Sequence, residues 1–319
     1  MRRLGICGVI YRQMPAIWDC SFRKSFYLRW GHESAVVSAR TRLAEYPEYR
    51  QLLSIKAASG GSEDYFVDGR RVAVDDDTFL ILNHGRSYGS RIEAIQPVHS
   101  FSIFFDTRLT GQVRQALLQP SRQLLADEVD EASPAVEFSE RLFAHDSVVS
   151  PAIRYIRTVV DNGLQDEMWL EEQLLILLTK MMRSHYNRLR LSSTICAVKP
   201  ATRRELLERM HLGMDFIYTR YCDPIGLRDI ADAARLSQFH FLRTFKSVHG
   251  MTPSTFLNLT RAAKALRLLQ TTSLSVTTIA DQVGFGSRTS LFRHMAAFYR
   301  TTPTNIRRGS GLPTVPEGS

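Results

Sequence analysis

The 319-residue sequence predicts an α+β chain: an N-terminal antiparallel β domain backed by a helical segment, then an all-α C-terminal domain. Three observations predict it. Short aromatic and β-branched runs, broken by turn residues, fill the stretch from about Leu52 to Asp106. Helical stripes begin near Ser150 and continue, with one break, to Arg308. Within that helical region a single design is written twice, as "IADAARLSQFHFLRTFKSVHGMTP" from Ile230 to Pro253 and as "IADQVGFGSRTSLFRHMAAFYRTTP" from Ile279 to Pro303.

Composition bounds the class. A hydrophobic share of 44% suffices for packed cores, and the length allows two or three domains. The cysteines are Cys7, Cys20, Cys196 and Cys222, with no CxxC pair and no regular framework. Reduced thiols in a cytoplasmic protein follow, without zinc or disulfide roles. No run approaches the roughly 18 apolar residues of a membrane helix, so no membrane partner is expected. The start "MRRLGICGVIYRQM" has its apolar stretch interrupted by Arg12 and no clean small-residue cleavage pattern, so no signal peptide is read. Met14 offers an alternative start that would leave residues 1–13 outside the native protein.

Charge is unevenly placed. Of the net +9, residues 201–308 hold 16 Lys+Arg against 7 Asp+Glu, while the rest of the chain holds 25 of each. An anionic partner for the C-terminal region alone explains that asymmetry. A solvated basic face kept for solubility explains it equally.

Taken in order, residues 1–45 show no strong period and read as a poorly defined lead. Residues 46–150 read as the β-rich domain. Asp68-Gly69 in "YFVDGRRVAV" marks a tight hairpin, because its turn needs positive φ. "TFLILN" and "SFSIFF" are further strands, and a helix is expected near Gly111–Leu125. Several short strands at this spacing suggest a small barrel or sandwich that can enclose a ligand. Residues 151–191 read as a helical segment, with Ser150 as N-cap, Pro151 in the first turn and Asn162-Gly163 as the stop. A longer helix from about Gln165 to Leu191 carries Leu170, Leu174, Leu177 and Met181 at steps of four, three and four. That stripe fits a dimerisation seam or ordinary packing on the β domain. Residues 192–201 read as a linker, 202–308 as the duplicated helical domain, and the Gly/Pro/Ser-rich 309–319 as a disordered tail.

The repeat has a physical logic. Phe241, Phe245 and Val248 match Leu291, Met295 and Phe298 at an offset of 50, each set spaced i, i+4, i+7 as a buried stripe. The opposite face carries Phe239, Leu242, Arg243 and Lys246 in the first copy, and Thr289, Phe292, Arg293 and Ala296 in the second. Small Ala231 and Ala280 permit a close helix crossing, Ser237 and Ser287 suit the N-caps of the next helices, and Gly284 serves the second turn. Two helices joined so tightly form a helix-turn-helix, whose second helix fits a DNA major groove about 12 Å wide. Thr252-Pro253 starts a helix running to Gln270. At ~1.5 Å per residue it measures roughly 27 Å, close to the ~34 Å between successive major grooves.

The segment from Thr202 to Arg308 resembles the DNA-binding domain of AraC/XylS-family transcription regulators. The residues that carry the resemblance are "LRDIADAARLSQFHFLRTFKSVHGMTP", "RAAKALRLLQ", "SVTTIADQVGFGS" and "TPTNIRR". More weakly, the β-rich region resembles the cupin-like effector domain common in that family. The resemblance implies a double helix-turn-helix domain behind a cupin-like one. It implies base contacts from Phe239, Leu242 and Arg243 in the first reading helix, and from Arg288, Thr289, Phe292 and Arg293 in the second. Lys246 would neutralise a phosphate. It further implies double-stranded promoter DNA, RNA polymerase and an unidentified small-molecule effector as partners, a homodimer, activation rather than repression, and no cofactor. Two positions depart from the family pattern: Ala296 stands where lysine is common, and Arg300 where glycine is. Phe239, Leu242 and Phe292 fit a wide apolar core face as well as base contact. Arg243 and Arg293 fit surface ion pairs as well, and Arg288 either role.

No phosphate loop, nucleophile elbow or paired-carboxylate motif is present, so no enzyme is expected. His84, Glu93 and His99 only faintly match a cupin metal site, which needs an HxH pair. A cupin-type metal enzyme fused to a DNA-binding domain stays open, as does an effector-free DNA binder. Tyr88 and Arg91 could face a pocket in the β domain, pack, or lie on the surface.

Overall fold

The computed structural model describes residues 9–14, 33–118, 136–163, 166–192 and 200–308. The expected tail, most of the linker, and Cys7, Cys20 and Cys196 lie outside them. The chain divides into two units, Met1–Cys196 and Ala197–Ser319.

The first unit is built on one eight-stranded sheet. Its strands are β1 (Val9–Tyr11), β2 (Ala35–Arg50), β3 (Leu53–Ser59), β4 (Glu63–Val67), β5 (Arg70–Val74), β6 (Thr78–Leu82), β7 (Ser87–Phe105) and β8 (Leu142–Ala144). The order is β1-β2-β7-β3-β6-β8, with β4 paired to β5 and β7. β7 organises the sheet: β2 runs antiparallel along its whole length, β4 takes the other edge near Tyr88–Arg91, and β3 takes it near His99–Phe105. Asp68 and Gly69 turn β4 into β5 at φ 51° and 72°, the left-handed pair a tight hairpin requires.

Alternation along the strands sorts side chains to two faces. Phe101, Ile103 and Phe105 of β7, Ile55 of β3 and Ile81 of β6 share a core with three helices, α1 (Thr107–Leu118), α2 (Ser150–Asp161) and α3 (Glu167–Ser192). Val37, Phe104 and Leu52 face the other way, beside Tyr11 and Met14. Strands buried on both faces show no period-two pattern, which corrects the expected lead at the described residues 9–14 and 33–45. Ala35–Ala39 of β2 is buried throughout, and β1 pairs with it in parallel from Val9↔Ala35 to Tyr11↔Val37.

Two further corrections concern the helices. The start of α2 is capped by Asp146, whose Oδ1 accepts from the Val148, Val149 and Ser150 N–H groups; Ser150 is the first helical residue. On α3, the expected seam residues Leu170, Leu174, Leu177 and Met181 are 0–1% exposed and belong to the core shared with the sheet. Their side chains are covered by their own chain; among the described residues, the large apolar side chains that α3 leaves exposed are Met168, Leu175 and Ile176.

Among the described residues the second unit is built of helices alone: α4 (Pro200–Arg220), α5 (Leu227–Ala233), α6 (Gln238–His249), α7 (Pro253–Thr271), α8 (Val276–Gln282), α9 (Arg288–Tyr299) and α10 (Pro303–Arg307). It holds two cores joined by one helix. Leu257 of α7 packs with Ile230, Phe241 and Phe245; Ala262, Ala265 and Leu269 of the same helix pack with Ile279, Leu291 and Met295.

Candidate nucleic-acid interface

The two helix pairs, α5–α6 and α8–α9, are built alike from the residues up. Ala231 and Ala280 are fully buried, and a larger side chain at either would hold the second helix off the first. Ser237 caps α6 by accepting from His240 N at 3.3 Å, and Ser287 caps α9 by accepting from Ser290 N at 3.2 Å. Thr252 and Thr302 cap the helices that follow, with Pro253 and Pro303 in their first turns. Phe241 and Phe245 on α6, like Leu291 and Met295 on α9, have no exposure. Val248 and Phe298, expected to complete the stripes, are half-buried.

The outward faces also correspond. Arg243 and Arg293 are both exposed, as are Lys246, Arg288 and Thr289. Among the described residues neither Arg243 nor Arg293 has a carboxylate partner, so the ion-pair alternative does not apply to them. Phe239 is 76% exposed, which removes the core alternative for it. Leu242 and Phe292 are half-buried, at the margin between core and surface. Arg288 lies over the Phe292 ring, 5.1 Å from its centroid, so this half-buried ring orients an exposed guanidinium.

The pairs are fixed to each other as well as to α7. Arg261 of α7 donates to the Tyr221 and Asp223 carbonyls at 2.7 and 2.8 Å, pinning the loop between α4 and α5. The α8–α9 turn lies against that same loop at Gly284, where a Cβ would come within 2.6 Å of the Cys222 carbonyl oxygen. Burial then lowers the Arg261 pKa from its ordinary value. The arrangement offers two cationic helix faces on one scaffold, with free guanidinium groups suited to phosphate oxygens or guanine edges.

The sheet of the first unit contains a different site, which sequence reasoning reached only through Tyr88. A cavity of about 40 Å³ is lined by Lys56, Glu63, Tyr65, Tyr88, Ser90 and Ser102, with Tyr46, Tyr49 and Phe104 at its walls. Lys56 and Glu63 are 2% and 1% exposed. The Lys56 ammonium sits 3.7 Å from the Phe104 ring centroid and 4.9 Å from that of Tyr88. Burial pulls the Lys56 pKa well down against the attraction of Glu63, and burial pushes that of Glu63 up. One Glu63 oxygen, Oε2, has no hydrogen-bond partner. A lysine set inside the apolar run "LSIKAAS" is the one sequence signal that could have found this pocket. Arg91 does not join it: it is exposed and pairs with Glu93. His84 lies exposed in a turn while His99 is buried against Ser38, so the faint metal constellation is not assembled. Among the described residues no group of His, Cys, Asp and Glu comes together that could hold a metal ion. Nor is any described helix long and apolar enough to cross a membrane.

Comparison with known proteins bears on the helical unit. Residues 230–309 match a family model described as a helix-turn-helix domain. An uncharacterized HTH-type transcriptional regulator of Bacillus subtilis, YdeC, is 32% identical over 100 residues, which is 31% of this chain and 34% of that protein. The HTH-type transcriptional activator RhaS of an Enterobacter strain is 31% identical over 101 residues, 32% of this chain and 36% of its own length. The match therefore spans about a third of each relative. The crystal structure of the AdpA DNA-binding domain with a target DNA aligns at a TM-score of 0.31 and 26% identity, covering 32% of this chain and 91% of that one. Repeat, caps, helix order and sequence relatives agree on one conclusion: residues 230–309 form a helix-turn-helix domain similar to those of HTH-type transcriptional regulators.

Proposed function

We propose that the chain is an effector-responsive transcription regulator, an activator, that binds double-stranded promoter DNA through α6 and α9. The observation that carries this reading is the matched exposure of the two helices, with Arg243 and Arg293 both outward and without acid partners on a scaffold braced by α7. Phe239, Leu242 and Arg243 read bases from the first helix, and Arg288, Thr289, Phe292 and Arg293 from the second. Lys246 holds a phosphate. The N-terminal sheet acts as a cupin-like sensor whose effector enters the Lys56–Glu63 cavity. Two ionisable side chains buried in one cavity are costly without a function, which supports that role. RNA polymerase is the downstream partner, the cell interior the place of action, and the working form a homodimer.

Selection of bound duplexes from a random library tests the central claim, and should return one bipartite sequence. On it, Arg243→Ala should cost about 1–3 kcal/mol of binding and relax the preference at one base position. Unchanged affinity and unchanged preference would remove Arg243 from the interface.

A further inference from the structure

The two helix pairs agree at their buried positions and differ in where they place cations. Three residues beyond the shared arginine, α6 carries Lys246 and α9 carries Ala296. Seven residues beyond it, each helix is closed by a residue in the left-handed conformation: Gly250 at φ 68° and Arg300 at φ 52°. That conformation suits glycine and strains any residue with a Cβ. Arginine there gains no internal partner, since its side chain is exposed and makes no ion pair or side-chain hydrogen bond among the described residues. A cation near a helix C-terminus gains some dipole attraction. That gain does not explain why the cation stands at the strained position in the one copy that lacks the lysine.

Seven residues on from Arg293 the chain has made nearly two turns and advanced about 10.5 Å, so the Cα of Arg300, the residue that closes α9, stands near the stripe through Arg293 and Ala296. The major groove is about 12 Å wide. A helix that sets Arg293 at base edges brings the far end of that stripe to the phosphates of the groove wall. Ala296, which is exposed, supplies no cation between the two arginines. We propose that Arg300 binds a backbone phosphate of the duplex, supplying in the second helix pair the grip that Lys246 supplies in the first. This rests on the DNA-binding reading above.

The test is a salt titration of the full chain on a 30-base-pair duplex of arbitrary sequence, with melting followed in parallel. Arg300→Gly should flatten the log–log salt slope by about 0.9 and weaken binding alike on every sequence. Its melting temperature should hold or rise, because glycine relieves the backbone. Lys246→Ala should flatten the slope by the same amount. Ala296→Lys combined with Arg300→Gly, which copies the first pair's layout, should restore it. A wild-type slope in Arg300→Gly, a loss of binding that tracks a fallen melting temperature, or no recovery in the double variant overturns the assignment. A wild-type chain that binds no duplex at all sinks the regulator reading itself, and this contact with it.

Discussion

Arg235 and Gly284 occupy the same place in the two helix-turn-helix turns, both at positive φ, 54° and 81°. The first turn carries a side chain there and the second does not. The reason is local: a Cβ on Gly284 would meet the Cys222 carbonyl oxygen at 2.6 Å and the Tyr221 oxygen at 2.9 Å, backbone atoms that Arg261 holds in place. Gly250 is the control, since it is also left-handed, at φ 68°, but has open space around its missing Cβ. Gly250→Ala should cost only the backbone term, about 1 kcal/mol. Gly284→Ala adds a close contact that forces a shift, about 1–3 kcal/mol more. Urea melts of the second unit measure both, and equal losses would mean that the Cys222 contact is not what demands glycine.

Elements were legible where their chemistry is local. Ser237, Ser287 and Thr252 could be named as caps because a cap joins residues two or three apart. The repeat exposed the helix pairs for the same reason. β2 was not legible: its partner at Phe104 lies 69 positions away from Ala35, and its buried half alternates nothing. The start of α2 was misplaced by one residue because Asp146, not Ser150, satisfies its free N–H groups. Tertiary ties at both ends of α2 make its docking depend on pH. At one end Ser38 donates to Asp161 at 2.6 Å, so the His99 Nε2–H donates to the Ser38 hydroxyl at 2.8 Å. At the other, His145 Nδ1 lies 3.0 Å from Ser150 Oγ. Burial lowers the pKa of both imidazoles; Arg40 and Arg157 add to it at His99 against Asp161, and Arg154 and Arg157 add to it at His145. The folded unit therefore prefers neutral histidines, whereas unfolded histidine takes a proton near pH 6.5. Below that pH the unfolded state binds more protons, so stability is full above about 6.5 and falls as the solution is acidified toward the lowered folded values. The urea midpoint of the first unit should drop between about pH 7.5 and 5.5, less so in His99→Gln and His145→Gln. A midpoint flat across that window would show that neither imidazole is held neutral.

At the scale of the whole molecule, an apolar stripe on a helix states that something covers it but not what. Leu170, Leu174, Leu177 and Met181 are covered by their own chain in the core shared with the sheet, which leaves Met168 at 71% exposure and Leu175 and Ile176 at 44% each as the large apolar side chains that α3 exposes among the described residues. Neighbouring leucines thus make opposite predictions. Leu174→Ala opens a void in the core and should cost the first unit about 2–5 kcal/mol, leaving association untouched at temperatures where the unit is folded. Leu175→Ala and Ile176→Ala should change stability by no more than about 0.5 kcal/mol. For the homodimer proposed above, the acidic pair Leu175→Glu and Ile176→Glu places like charges against each other across a two-fold seam. Sedimentation should then report a monomer at concentrations where the wild type is paired, with the melting of the second unit unchanged. A dimer that survives both acidic substitutions places the seam on another face, and a wild type that sediments as a monomer bound to its operator leaves one chain, with its two helix pairs, as the complete reader.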